Sequence, residues 1–229
     1  MRNYTFNWGK LLGLRWFVAS WLLHGVHVLD KTERNYYILC ELILQLMPLC
    51  ALYLFEVDKI WTYILSIITV HTITWLCDSH WLVGYREVDK SFKSKGINAV
   101  IEYINYTKEE LKSFKNVSVI ALYGSMSRRM FHDRSDLDLR IVQEGKSFLL
   151  FLTIQKLRFI GIWKYKIPLD LKLVDSEEYL KEEMREDEKA IVAYKKKDFV
   201  YNEGLDFSEI EKNPSAFLKS TTLNQNNLQ

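Results

Sequence analysis

The chain has 229 residues, enough for one ordinary domain with an appendage. Its 31 basic and 29 acidic residues give a formal charge of +2, so nucleic acid is not expected as a partner. Three cysteines, Cys40, Cys50 and Cys77, lie in apolar segments without the spacing of metal ligands. This pattern argues against a disulfide framework and indicates a reducing or lipid setting.

The first apolar segment runs from residue 8 to residue 29 and is rich in Trp and Leu. The polar residues in and just beyond it share one helical stripe, formed by Lys10, Gly13, Ser20, His24, His27, Lys31 and Arg34. This predicts an amphipathic helix within residues 1–35 that lies in the membrane interface, with Trp8, Trp16 and Trp21 at headgroup depth. A helix of a soluble core is the alternative.

Two longer apolar runs follow, Tyr36–Phe55 and Ile60–Cys77, separated by the polar turn Glu56–Lys59. Because about 20 helical residues cross the hydrocarbon core of a bilayer, residues 36–85 are predicted to form a transmembrane helical hairpin. Basic residues flank both ends of the hairpin, namely Lys31, Arg34, Arg86, Lys90, Lys93 and Lys95. The positive-inside rule therefore predicts a cell-membrane protein with both termini and the remaining domain in the cytoplasm.

Glu41 interrupts the first span, where an acid is costly in lipid. We expect it to contact Gln45, His71 or a second copy of the chain, the last of which would make the hairpin a homo-oligomer interface. A proton or substrate role is the alternative. His24 and His27 share a helix face, but two histidines alone do not predict a metal site.

The soluble part, residues 90–205, contains one segment with chemical potential. An apolar strand, Val117–Tyr123, ends at Gly124 and Ser125, and a second strand carries Asp136 and Asp138 between leucines. Residues two apart in a strand point to the same side, so the two carboxylates project together. Like charges side by side need a positive partner, and Mg²⁺ suits carboxylate ligands.

These residues resemble the signature of the nucleotidyltransferase superfamily that includes DNA polymerase β, and most of all its minimal, MNT-type members. The shared features are the apolar strand, the Gly-Ser pair, the twelve positions from Gly124 to Asp136, and the Asp-Leu-Asp of Asp136 to Asp138. The resemblance implies an α+β fold, with a small mixed β-sheet flanked by helices, behind the all-α membrane hairpin. Many members have Gly at the position of Arg129.

The resemblance also implies a third acid from a later strand. Asp170 lies between two leucines of an alternating strand, so its side chain points to the polar side, and it is the preferred candidate. Asp175 is the competitor, at the end of that strand. Phe148–Ile160 is predicted to form a helix between the two acidic strands.

By resemblance, the predicted activity is Mg²⁺-dependent transfer of a nucleoside monophosphate from an NTP, with ATP as the default, to a hydroxyl acceptor. The predicted metal ligands and catalytic residues are Asp136, Asp138 and Asp170. The predicted nucleotide-binding residues are Gly124, Ser125, Arg128, Arg129 and Lys172. The membrane anchor suggests an acceptor that is lipid-linked or membrane-associated. A non-catalytic or antitoxin-like, membrane-tethered regulatory module is the alternative.

The ends of the soluble part carry weaker patterns. Ile97–Phe114 is predicted to be an amphipathic helix with a break near Asn105, residues 175–189 a solvated helix, and Ala190–Tyr201 a last strand. Residues 206–229 are predicted to be a partly disordered tail, because Asn and Gln are enriched and apolar residues are few.

Overall fold

The computed structural model describes residues 12–78, 81–83, 85, 92–196 and 200–217, with the backbone alone for residues 12–17. Its first part consists of helix α1 (Leu12–Leu23), a 3-10 turn (Val26–Val28), α2 (Lys31–Leu54) and α3 (Ile60–Cys77). The Asp30 carboxylate caps α2 by accepting a hydrogen bond from the Lys31 N–H. Trp8 and the side chain of Trp16, predicted at headgroup depth, lie outside the described residues.

Helices α2 and α3 pack against each other and agree with the predicted hairpin. Both are long and apolar enough to cross a membrane, with mean hydropathies of 1.8 and 1.5, and only 6% of each apolar window is buried. The described end of α1 binds α3, since the Trp21 indole donates to the Thr72 hydroxyl at 3.1 Å and the Trp75 indole to the Ser20 hydroxyl at 3.1 Å. Ser20, a member of the predicted polar stripe, therefore faces the hairpin.

The soluble part is built on a five-stranded mixed sheet with the order β3-β2-β1-β4-β5. The strands are β1 (Val117–Tyr123), β2 (Leu137–Gln143), β3 (Leu169–Val174), β4 (Ala190–Lys195) and β5 (Glu203–Asp206). Strand β1 is antiparallel to both neighbours, whereas β2–β3 and β4–β5 are parallel pairs. The predicted α+β fold with a small mixed sheet is confirmed.

The helices of the soluble part are α4 (Gly96–Leu111), α5 (Gly124–Ser127), α6 (Phe148–Trp163), α7 (Glu177–Glu183) and α8 (Phe207–Lys212). Helices α4 and α6 cover one sheet face, where Leu137, Leu139 and Ile141 enter the main core as their alternation predicts. The other face carries a smaller cluster that includes Leu180 of α7. Asp138, one position from Leu139, projects to this thinly covered face.

Several element boundaries differ from expectation. Helix α4 runs unbroken past Asn105 to Leu111, and the helix expected over residues 175–189 is limited to α7. The strand expected to reach Tyr201 ends at Lys195, and β5 follows it. Within the expected tail, α8 buries Phe207 and Ile210, while residues 218–229 lie outside the described part of the chain.

The N-terminal helical hairpin and the sheet-containing part are joined by a buried ion pair. The Glu33 carboxylate at the start of α2 receives a hydrogen bond from the Arg158 guanidinium of α6 at 2.6 Å, and both side chains are fully buried. The same carboxylate accepts the Leu173 N–H of β3 at 3.0 Å. Helix α2 is therefore anchored on the strand that carries Asp170.

Candidate functional site

The turn after β1 requires glycine at its first position. Gly124 has a φ of +66°, which L side chains rarely adopt. A Cβ atom placed there would lie 1.7 Å from Oδ2 of Asp138, so that carboxylate occupies the space a side chain would need. The next residue, Ser125, donates its hydroxyl to the backbone carbonyl of Asp136 at 3.4 Å. The Gly-Ser turn is thus held against the acidic strand.

The sheet register brings the predicted acids together. Asp138 of β2 lies directly opposite Asp170 of the parallel strand β3, and both side chains are half-buried. Burial raises the pKa of Asp138 to about 7, the Arg140 guanidinium opposes this, and the charges of Asp136 and Asp170 add to it. Three carboxylates therefore interact at one edge of the site.

Arg140 belongs to this site and was missed at the sequence level. Its guanidinium is nearly fully buried and pairs with the Asp170 carboxylate at 2.7 Å and with Asp138 at 3.6 Å. It also donates to the backbone carbonyl of Asp170 at 2.6 Å. Burial works to lower the pKa of Arg140, but the two carboxylates outweigh it and raise that pKa. The strand alternation contained the signal, because Arg140 is two positions after Asp138.

Lys172 lies opposite Arg140 in the β2–β3 register, two residues along the strands from the Asp138–Asp170 pair. Its side chain is buried, and burial lowers the pKa of its ammonium group while Asp170 opposes that shift. The strand pair therefore presents a row of two acids next to a row of two bases. Lys172 shares the face of Asp170, as its spacing predicts.

The competitor for the third acid has a structural role. Asp175 accepts hydrogen bonds from the Thr32 N–H at 3.2 Å and from the Gln143 side-chain amide at 2.9 Å. Its own N–H donates to the Asp30 carboxylate at 2.7 Å. These contacts seal the end of β3 against the start of α2, which leaves Asp170 as the acid that faces Asp138.

The donor set of the three aspartates fits Mg²⁺. The donors are carboxylate oxygens, which this hard cation prefers, and the Asp138 carboxylate bears the electrostatic cost of its acidic neighbours. A separate cluster of possible metal ligands among the described residues consists of His24, Glu41 and His71, whose ligand atoms all lie within 4.8 Å of one another.

The two arginines of the spacer have different surroundings. Arg128 forms an ion pair with Glu188, whose side chain is largely buried. Arg129 has a φ of +54°, so this residue adopts the left-handed conformation for which glycine is best suited. It lines a cavity of about 310 Å³ together with Met126 and Phe217, and that cavity includes none of the three aspartates.

The chain is similar to known proteins over part of its length. Residues 105–198 match the sequence model of the family described as Polymerase beta, Nucleotidyltransferase. No curated protein matches the chain at a significant level. A solved chain from Sulfolobus solfataricus, provisionally described as a nucleotidyltransferase, aligns at 21% identity with a TM-score of 0.30, over 46% of this chain and 95% of its own. The family match spans the Gly-Ser turn and all three aspartates.

Proposed function

Because residues 105–198 match the sequence model of the polymerase beta nucleotidyltransferase family, we propose that the chain is a membrane-anchored nucleotidyltransferase. It transfers a nucleoside monophosphate from an NTP, with ATP as the default, to a hydroxyl acceptor. The observation that carries the proposal is that the Asp138 carboxylate packs against Gly124 and lies opposite Asp170 in the sheet. The turn that we propose to bind phosphate is thereby in contact with the paired acids.

Each proposed role follows from the position of the side chain. Gly124 lets the backbone approach phosphate oxygens, and the Ser125 hydroxyl adds a donor. Asp136, Asp138 and Asp170 would hold Mg²⁺, which when bound supplies Lewis-acid stabilisation of phosphate charge. The remaining work of the chain is to position the triphosphate and the acceptor in line.

The basic residues would support this arrangement. Arg140 is a positioning residue, since it holds the Asp170 carboxylate and its backbone carbonyl. Lys172 brings a buried cation to the face where phosphate charge would bind. Arg129 remains a predicted phosphate contact, and Arg128 would reach phosphate by exchanging its present partner Glu188.

The apolar surface supports the membrane part of the proposal. Helix α6 of the soluble part exposes large apolar side chains on its outer side, namely Phe148, Leu149, Leu152, Phe159 and Trp163. The ring centroids of Trp163 and Trp81 lie 6.3 Å apart, and Tyr36 at the start of the hairpin meets Phe148 edge to face, with centroids 5.4 Å apart. The exposed face of α6 is therefore continuous with the hairpin, and a lipid bilayer would cover both.

We infer that the site faces the cytoplasm, where NTPs are available, and that the acceptor is lipid-linked or membrane-associated. The basic residues on both sides of the hairpin support this orientation. The acceptor inference rests on the shared location of enzyme and membrane.

The proposal is tested by incubating the detergent-solubilised chain with each α-³²P-labelled NTP, Mg²⁺ and a membrane extract. We expect label in an acceptor with the native chain and at least a 100-fold loss, on the order of a missing charge-stabilising group, in Asp138→Asn and Asp170→Asn. The control is Asp133→Asn, which removes an equal charge from an exposed position of the spacer. Equal labelling by Asp138→Asn and the native chain would rule out the assigned acids.

A second candidate is a non-catalytic or antitoxin-like regulatory module tethered to the membrane. The Arg140–Asp170 ion pair favours it, because it balances part of the acidic charge without a metal ion. Calorimetry for NTP binding, combined with the labelling assay for transfer, distinguishes the two. Mg²⁺-dependent NTP binding with no transfer of label in any extract supports the module, and transfer of label supports the enzyme.

A further inference from the structure

Three helices of the membrane part meet at a cluster of metal-ligating side chains. His24 follows the end of α1, Glu41 lies in α2 and His71 lies in α3. One ligand atom of each lies within 4.8 Å of those of the other two. His24 is 3% exposed, and the side chains of Glu41 and His71 are 18% and 22% exposed. The expected contacts of Glu41 with Gln45 and His71 are present within one chain.

In each histidine, the ring nitrogen that points away from the cluster has a hydrogen-bond partner outside it. His71 Nε2 lies 2.8 Å from the backbone carbonyl of Trp21, an acceptor only, so this nitrogen carries the proton. Its Nδ1 and Glu41 Oε1, which is also an acceptor only, lie 3.0 Å apart and share a proton that a bound ion would replace. His24 Nδ1 lies 2.6 Å from the Tyr37 hydroxyl, while its buried Nε2 has no hydrogen-bond partner. Oε2 of Glu41 is also buried without one.

We propose that His24, Glu41 and His71 bind one Zn²⁺ ion. Two imidazoles and one carboxylate, with a fourth position left for water, form a common ligand set of zinc. Metal-bound histidines usually donate their other ring N–H to an oxygen, as His71 does to Trp21 and His24 can to Tyr37. Zinc bonds near 2.0–2.1 Å place tetrahedral ligand atoms about 3.3 Å apart, close to the observed His71–Glu41 separation.

The backbone of His24 is strained in a way that serves the cluster. Its φ is +46°, a left-handed conformation that a non-glycine residue adopts at a cost of about 1 kcal/mol or more. This turn ends α1 and places the His24 ring over the His71 ring, with centroids 4.1 Å apart and planes inclined by 31°.

The ligand chemistry selects a transition metal rather than Mg²⁺. Imidazole nitrogen is a poor ligand for Mg²⁺ and a good one for zinc. The Gln45 side chain donates to Glu41 Oε1 at 2.9 Å and orients the carboxylate. A bound ion would join α1, α2 and α3, and it shares no residue with the aspartate site.

The test uses the full-length chain without a histidine tag, purified in detergent and stripped with a chelator. We expect retention of one Zn²⁺ per chain after dialysis, and visible d–d absorption when Co²⁺ replaces it. His71→Gln and Glu41→Gln should each weaken binding at least 100-fold, and Tyr37→Phe by about 10-fold, as a lost outer partner does. The control is His27→Gln, which removes an exposed histidine from the same turn.

The thermal unfolding temperature provides a second readout. Zn²⁺ should raise it for the native chain and for His27→Gln, since an ion that binds only the folded state stabilises it. It should leave the unfolding temperature of Glu41→Gln unchanged. If a ligand variant fails to fold, the milder Tyr37→Phe variant decides the question. No bound ion in the native chain, or native affinity in His71→Gln, overturns the proposal.

Discussion

The buried pair between Glu33 and Arg158 yields the sharpest prediction about stability. Glu33→Gln removes a carboxylate that takes hydrogen bonds from the Arg158 guanidinium at 2.6 Å and the Leu173 N–H at 3.0 Å. The guanidinium would then be buried with the Leu171 carbonyl, 2.6 Å away, as its main partner. Breaking one side of such a pair costs about 3–5 kcal/mol.

For a chain of this length each kcal/mol moves the unfolding temperature by about 2–4 °C, so we expect a fall of about 6–20 °C. The assay is thermal unfolding in detergent, followed by circular dichroism. The double variant Glu33→Leu with Arg158→Met should recover most of the loss, because it removes both buried charges together.

The matched control is Glu110→Gln, which breaks the exposed ion pair with Lys156 between α4 and α6. That pair is worth about 1 kcal/mol or less. The reasoning is refuted if Glu33→Gln melts within 2 °C, roughly one kcal/mol, of the native chain. It is also refuted if the double variant is no more stable than Glu33→Gln.

Three further predictions concern the site and the membrane face. Gly124→Ala should abolish nucleotide transfer, because its Cβ would meet the Asp138 carboxylate. Gly145→Ala, which has a similar positive φ but open space around the position, should retain transfer activity. Equal activities of the two variants would contradict this prediction. In metal-free protein, the stability of the native chain relative to Asp138→Asn should fall by up to about 4 kcal/mol as pH rises from about 4 to 7. The reason is that the Asp138 carboxyl keeps its proton in the folded state over this range and releases it in the unfolded chain. A constant difference between the unfolding temperatures of the native chain and Asp138→Asn across this range would refute the prediction. In a cysteine-free background, the emission of a polarity-sensitive dye attached at Leu149→Cys should shift to the blue when the protein is reconstituted into vesicles. The same dye attached at Ser113→Cys should show no such shift. Identical spectra at the two positions would show that α6 does not contact the bilayer.

Local patterns identified the elements that form the acidic site. Strand β1 has the predicted bounds because an apolar, β-branched run is ended by Gly124, whose positive φ and closeness to Asp138 favour glycine. The alternation around Asp138 and Asp170 predicted that both project away from the leucines, and the parallel register of β2 and β3 brings them together. These features depend on residues close in sequence, so a single sequence contains them.

Features that join distant segments were beyond such reasoning. The pairing of Glu33 with Arg158 spans 125 positions, and no local pattern specifies it. The contact of Glu41 with His71 was anticipated, but the addition of His24 depends on a left-handed turn after α1 that sequence periodicity does not show. Strand β5 has four residues, without an apolar run, and exists because β4 offers it an edge.

The anchoring of α2 on β3 determines how the proposed enzyme would search for its acceptor. The Glu33 side chain is buried against β3 of the soluble part, and Ile38, five residues later, already exposes its apolar side chain. Those five residues of helix span about 7.5 Å, and no loop intervenes. If the hairpin spans a bilayer as proposed, the aspartates would therefore keep one height and one tilt relative to it. Such a site would encounter its acceptor by lateral diffusion in two dimensions, and molecules whose hydroxyl projects to another height would be out of reach.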